Sequence, residues 1–338
     1  MQVTKNHSLK SLNTFGVDAH ARWFAEVSTV RELEELLSEP RWKSVPKLAL
    51  GGGSNILFTN DFDGLVIHNI IKGIEVVREE TDFVLLRAGG GEVWHDLVMH
   101  AVERNLGGIE NLSLIPGYVG AAPIQNIGAY GAELSEVFDS LEAVDLHSRE
   151  MKQFSPSECR FGYRYSVFKG ELKDRFMITS VTLRLYRKPE VNTSYGAIKE
   201  TLQKKGVTQP TISDVSNAVI AIRRSKLPDP AEIGNAGSFF KNPVVRAEQF
   251  AAIKTGYPEV PSYPQQNGQV KVPAGWLIEQ AGWKGKRLGN VGMHERQALV
   301  LVNHGDATGA ELHSHAMRVK QSVSEIFRIE LEEEVRVV

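Results

Sequence analysis

A single cysteine, Cys159, stands in 338 residues, so no internal disulfide can form. That scarcity fits a reducing compartment. No apolar run reaches bilayer length, and the opening segment MQVTKNHSLKSLNTFG lacks the apolar core of a signal peptide. The expected location is the cytoplasm, with no membrane partner. Neither sign of charge dominates: 39 Lys and Arg against 41 Asp and Glu leave a net charge of −2. That balance argues against a dedicated nucleic-acid binder while allowing a local basic pocket. Metal-ligand patterns are missing too. His313 and His315 lie two apart on a predicted helix and face different sides, and His294 and His304 lack Cys or acidic partners at ligand spacing. No metal is expected. What is there is ordinary for a globular protein, 42% hydrophobic and 24% charged, and long enough for two or three domains. Neither an internal repeat nor a low-complexity tract is present.

One further absence is local. Between Glu110 and Glu133 no residue carries a charge, in NLSLIPGYVGAAPIQNIGAYGA, Asn111 to Ala132. Prolines and glycines break it too often for a membrane span, and it has no period of 3.6 or 2. The expectation is irregular backbone of small residues whose N–H and C=O groups need partners. A large, flat, polar-edged ligand would supply them, and glycines let it approach the main chain. The plain alternative is a Gly-rich turn cluster between core segments.

A second stretch favours the ligand. Val45–Leu50 reads as a strand and runs into Gly51-Gly52-Gly53-Ser54-Asn55, whose successive N–H groups suit a pyrophosphate. The Rossmann fingerprint fails here, because Ile56 replaces the third glycine and Ile56–Phe58 continues as an apolar segment instead of opening a helix. A dinucleotide held outside the Rossmann scheme is the expectation.

Strands are expected at Ala21–Val27, Gly64–Asn69, Ile74–Arg78, Phe83–Ala88, Ser140–Leu146, Met177–Tyr186, Ala298–Val302 and Ile329–Val338. Thr29 with Glu32 opens a helix bearing Leu33, Leu36 and Leu37. Further helices are predicted at Glu92–Asn105 (stopped by Gly107 and Gly108), after Ser155, from Tyr195 to Lys205, at Ser213–Arg224, near Arg246–Thr255, at Ala274–Ala281 and at Gly309–Phe327. Lys188–Ser194 reads as a linker and Pro258–Val272 as a loop. The class is α+β, or mixed α/β.

Taken in order, Asn13-Thr14-Phe15-Gly16, GGGSN, the IPG…GAYG wall, Gly162-Tyr163-Arg164, GNAGSFFKNP and the terminal Glu-Val-Arg span nearly the whole chain. The set resembles the UDP-N-acetylenolpyruvoylglucosamine reductase family of bacterial cell-wall synthesis, first type, with an FAD-binding domain of the vanillyl-alcohol-oxidase type. The resemblance implies FAD-binding subdomains at 1–72 and 73–225, with non-covalent FAD in the cleft between them. It further implies a substrate-binding α+β domain at 226–328 and a C-terminal strand, 329–338, returning to the active site. Hydride would pass from NADPH to FAD and then, after NADP⁺ leaves, to the enolpyruvyl-UDP-N-acetylglucosamine.

The resemblance also implies roles. Arg164 and Glu334 would stabilise the substrate's charged carboxylate, and Ser238 would donate the proton. No G-x-S-x-G elbow surrounds Ser238, so a hydrolase nucleophile is excluded. Relatives usually have Pro where this chain has Glu333, which leaves Glu333 or Glu334 as the acid. FAD would be held by Gly51, Gly52, Gly53, Ser54, Asn55, Ile115, Pro116, Gly117, Gln125, Asn126, Gly128, Ala129, Tyr130, Gly131 and Arg336. The UDP-sugar would meet Tyr195, Lys226, Asn242, Tyr263, Lys271, Lys284 and Gln297. Two rivals remain at this stage: an FAD oxidase of the same superfamily, and a non-catalytic flavin- or nucleotide-sugar-binding module. Oligomeric state is open, with a monomer favoured.

Overall fold

The computed structural model describes residues 2–265 and 268–338; residues 266 and 267 of the expected loop Pro258–Val272 lie outside it, as does residue 1. The chain forms two compact units. The first takes the N-terminal residues to His7, Ala21–Gly53 and Phe62–Ser225; the second takes Ser8–His20, Ser54–Asp61 and Lys226–Val338.

The first unit holds a four-stranded sheet ordered Val3–Ser8, His20–Val27, Phe62–Asn69, Lys47–Leu50, the last three strands parallel. Gly64–Asn69 is buried throughout, as a covered parallel strand must be. Helix α1, Val30–Ser38, is capped by Thr29 and packs Leu33, Leu36 and Leu37 with Val27, Trp42 and Ile67. A five-stranded antiparallel sheet follows, ordered Met151–Phe154, Phe138–Asp145, Phe176–Tyr186, Phe83–Gly89, Ile74–Glu79. Helix α2, Trp94–Glu103, lays Trp94, Leu97, Val98, Ala101 and Val102 into that sheet's core. It stops before the expected glycines. Asn105 turns left-handed (φ +53°), Leu106 N–H returns to Ala101 O and Asn105 N–H to Val102 O, a Schellman closure. Helix α3, Pro156–Cys159, has the expected capping box. Helices α4, Gly196–Lys204, and α5, Ile212–Lys226, pack Ile198 and Leu202 with Val215, Val219 and Ile222.

The second unit has an antiparallel sheet ordered Gly234–Ser238, Val300–Asn303, Val291–Met293, Arg287–Leu288. A small sheet is ordered Val244–Val245, Val270–Lys271, Tyr263–Pro264. The last two lie inside the expected loop; at two residues each, they are too short to show a period. Helices α6, Ala247–Gly256, α7, Ala274–Gln280, and α8, Gly309–Phe327, complete the unit, α8 opening on the Thr308–Glu311 capping box.

The expected ten-residue terminal strand is a correction. Only Arg336–Val337 is strand, pairing parallel with Ile56–Leu57. Upstream, Glu334 and Val335 both direct their N–H to Phe239 O, two residues opposite one, which is a bulge. Ile329, Leu331 and Val335 are buried while Glu330 and Glu332 are exposed, so a two-residue alternation persists although the segment forms no ladder of strand length. Among the described residues no helix is long and apolar enough to cross a membrane.

Candidate active site

In the first unit the uncharged stretch keeps the expected irregular backbone between short elements that no period betrays. It contains 3-10 turns at Glu110–Leu112 and Val119–Gln125, then a hairpin, Gly128–Ala129 against Ala132–Glu133. Tyr130 and Gly131 form the turn with φ of +51° and +82°. Positive φ at both centres is the type I′ pattern, normally Asn-Gly or Gly-Gly. Left-handed backbone at a non-glycine residue costs roughly 1–2 kcal/mol, so the fold must hold Tyr130 in place. Asn111 Nδ2 donates to Tyr130 O at 3.0 Å and to Asn192 O at 2.9 Å; Asn192 Nδ2 donates to Gly131 O at 2.9 Å. The expected linker is thus a strap.

Around that hairpin tip polar side chains gather. The Tyr195 ring stands edge-on to Tyr130 with centroids 5.2 Å apart. Burial raises the Tyr130 phenol's pKa, and the positive charge of Arg223, on α5, opposes the rise. Burial also lowers the Arg223 pKa; Tyr130 opposes this and the Arg164 charge adds to it. Arg164 sits in a tight turn where Gly162 and Tyr165 exchange both main-chain bonds, and its own φ is +52°. Its Nη2 donates to Gly128 O at 2.7 Å, on the hairpin. Strained backbone that the surroundings over-determine is a common mark of functional positions.

The wall suits a flat ligand. Asn111–Ser113, Val119, Gly120, Ala122, Pro123 and Asn126 form a buried back, while Ile115, Gly117, Gln125 and Gly128–Tyr130 are half accessible. Asn126 contributes only main chain to any ligand. Its Nδ2 donates to Glu133 Oε2 at 2.8 Å and Gly162 O at 3.2 Å, and its Oδ1 accepts from Ser135 N at 2.9 Å. Gly51 and Gly52 serve packing as well as approach: a Cβ on Gly52 would stand 3.0 Å from the Tyr118 ring. Gly53 is left-handed, φ +61°. Among the described residues no hydrogen bond takes up the Gly52 N–H, which remains a donor for an anion. The loop runs strand to strand, opening no helix. These features fit a dinucleotide.

In the second unit Ser238 ends the strand Gly234–Ser238, half-buried. Glu334 N–H donates to Phe239 O at 2.8 Å, which sets Glu334 beside the residue after Ser238. Neighbouring acids are directed elsewhere: Glu332 pairs with Lys241 at 2.9 Å and Glu333 approaches Lys320 at 3.9 Å. Asn55 Nδ2 donates to Glu334 O at 3.3 Å and Arg336 N–H to Asn55 O at 3.1 Å. The turn residue Asn55 and the chain terminus are therefore stitched together. Tyr263 and Lys271 face each other across one ladder, and Val244 adjoins Lys271 on its other side. Asn242 Oδ1 accepts from Ala274 N at 2.9 Å, fixing the start of α7. Gln297 Oε1 lies beside Gly275 of the same helix. Lys284 pairs with Glu279 at 2.8 Å, and Lys226 is exposed at the end of α5.

Two residues escaped the sequence reading. Arg223 is a charged residue on a helix whose inner face is otherwise apolar apart from Ser216, a weak signal. His95 accepts the Leu114 N–H at Nδ1, 3.0 Å away, and nothing in the local sequence announces that.

Comparison with known proteins adds three findings. The FAD binding domain family matches residues 21–150, and the UDP-N-acetylenolpyruvoylglucosamine reductase C-terminal domain family matches 229–338. The chain is 52% identical to UDP-N-acetylenolpyruvoylglucosamine reductase of Flavobacterium johnsoniae, over 100% of both chains. It is 48% identical to the Pseudomonas aeruginosa protein of that name, covering 99% of this chain and 98% of the other. The crystal structure of the Thermus caldophilus reductase superposes with a TM-score of 0.66 at 24% identity, over 99% of this chain and 98% of that one, and so shares the fold.

Proposed function

The chain belongs to the UDP-N-acetylenolpyruvoylglucosamine reductase family, and from that premise we propose how its residues serve the reaction. It is an FAD-dependent oxidoreductase using NADPH, and it reduces enolpyruvyl-UDP-N-acetylglucosamine to UDP-N-acetylmuramate in peptidoglycan precursor synthesis. A cytoplasmic location belongs to the same proposal, as do the roles in cell shape, cell cycle and cell division that accompany wall synthesis.

Gly51, Gly52, Gly53, Ser54 and Asn55 would hold the FAD pyrophosphate. Ile115, Pro116, Gly117, Gln125, Asn126, Gly128, Ala129, Tyr130, Gly131 and Arg336 would hold the remainder, Asn126 by main chain alone. When bound, the flavin supplies the redox chemistry, relaying hydride from NADPH to the enolpyruvyl group. The protein supplies binding and charge. Arg164 offers a guanidinium to the carboxylate on which negative charge develops, and Glu334 a carboxyl hydrogen bond. Ser238 delivers the proton to the adjacent carbon; a hydroxyl suffices because an enolate-like carbon is strongly basic. Tyr195, Lys226, Asn242, Tyr263, Lys271, Lys284 and Gln297 bind the UDP-sugar, Lys226 and Lys284 toward its pyrophosphate.

The Glu334 N–H to Phe239 O bond supports this assignment: it brings the Glu334 main chain next to the residue after Ser238, while Glu333 and Glu332 approach lysines. Reducing the protein anaerobically and adding the enolpyruvyl nucleotide tests it: the flavin band should return. If the band stays bleached, the reductase assignment fails.

Two expected results follow from the site. Purified protein is yellow, and acid precipitation leaves the colour in the supernatant; a cysteinyl flavin link is disfavoured because Cys159, the only cysteine, is buried with its thiol pKa raised to about 12. Colour remaining on the pellet would contradict non-covalent binding. Tyr195→Phe weakens productive substrate binding by about 0.5–3 kcal/mol while sparing reduction by NADPH. Unchanged KM and unchanged oxidative rate would remove Tyr195 from the nucleotide.

A further inference from the structure

The peptide groups around Leu114 are gripped from two helices. Its N–H donates to His95 Nδ1 at 3.0 Å, from the first turn of α2, and its C=O accepts from Arg223 Nε at 3.2 Å, from α5. Leu114 is left-handed, φ +59°, a conformation a leucine leaves when nothing holds it. The residues before it are anchored separately: Trp94 Nε1 donates to Leu112 O at 3.0 Å, and the Ser113 and Ser216 hydroxyls meet at 2.8 Å. The residues after it are Ile115-Pro116-Gly117, so Leu114 sets the direction in which the wall leaves its anchor.

We propose that His95 is a positioning residue for the flavin wall: its neutral imidazole holds Leu114 left-handed, and protonation of Nδ1 lets the wall go. This rests on the reading of residues 115–117 as cofactor-binding. An imidazole that accepts at Nδ1 carries its proton on Nε2; once Nδ1 is protonated too, two N–H donors face each other. Burial holds the His95 pKa below its ordinary 6.5. Asp96, from its own helix, opposes this, while Arg224 and Arg223, from α5, reinforce it. For a depressed pKa the contribution is complete above 6.5 and is lost as pH falls from there through the folded value.

The experiment measures FAD affinity of the deflavinated protein by fluorescence quenching from pH 8 to 5. In parallel, the Leu114 amide is followed in flavin-free, 15N-leucine-labelled protein. The wild type should lose roughly 10-fold or more in affinity toward pH 5, with the amide titrating at the same midpoint. His95→Asn, whose Oδ1 stands near the place of Nδ1 but does not titrate, should retain FAD and flatten the acid limb. His95→Phe should bind about 10- to 100-fold more weakly at pH 8 with no such limb. Adding Leu114→Gly to His95→Phe should recover most of that loss, because glycine is left-handed without help. An acid limb that persists in His95→Asn, or a Leu114 amide that does not titrate, overturns the proposal. Failure of the wild type to take up FAD at pH 8 sinks the cofactor reading instead, and the amide titration still decides the latch.

Discussion

Ser238→Ala leaves reduction by NADPH near the wild-type rate and slows reoxidation by the enolpyruvyl substrate by roughly 10²–10⁴-fold, the usual span for a lost general acid. Hydride transfer from NADPH requires two rings in register and no proton from this hydroxyl. Protonation of the enolate-like carbon does require one. A Cβ on the preceding Gly237, φ +69°, would meet nothing within 4 Å, so space lies open beside the strand end. Ser238→Cys should keep more activity than alanine, because a thiol can donate, with recovery limited by the longer C–S bond. Anaerobic stopped-flow of each half-reaction makes the distinction. Equal slowing of both halves would make Ser238 a positioning residue and place the proton elsewhere.

The second large effect is on stability. Gly309 is the first residue of α8, and a Cβ there would lie 1.6 Å from Phe58 O, with Phe58 C at 2.6 Å. These are backbone atoms, so no rotamer change relieves the clash. Alanine is the better helix former by about 0.8–1 kcal/mol, yet forcing helix and segment apart costs about 3 kcal/mol, the upper end of the overpacking range. The clash wins. Gly309→Ala should therefore lower Tm by about 4–10 °C. It should also disturb the pairing of Ile56–Leu57 with Arg336–Val337, and with it the seat of Glu334. Gly305→Ala is the control, since its nearest neighbour would be 3.9 Å away; it should stay within about 0.5 kcal/mol. If the two variants melt together, α8 does not pack on Phe58 as described.

How much of this was legible depended on range. The capping boxes Ser155–Glu158 and Thr308–Glu311 close hydrogen bonds across three residues, and at Thr29 the cap forms while the Glu32 carboxylate turns to Ser28, so the sequence places those helix starts almost to the residue. The stop of α2 was misplaced because Asn105, an allowed left-handed residue, ended the helix before the more conspicuous glycines. The uncharged wall stood out by composition, while its form did not. A type I′ turn with tyrosine in its first position defies local preference and exists because Asn111 and Asn192 hold it.

The sequence by itself determined the helices, the main strands, the uncharged wall, the glycine loop and, through its ordered motifs, the family. Each of these is written in neighbouring side chains. Only the tertiary structure decided the rest. Asn55 and Glu334 meet 279 residues apart, and main-chain bonds to Phe239 O and Asn55 O, not a long strand ladder, seat the terminal segment. His95 and Arg223 reach Leu114 through its peptide groups. Such contacts leave no local pattern, because a main-chain hydrogen bond asks nothing of the side chain it passes.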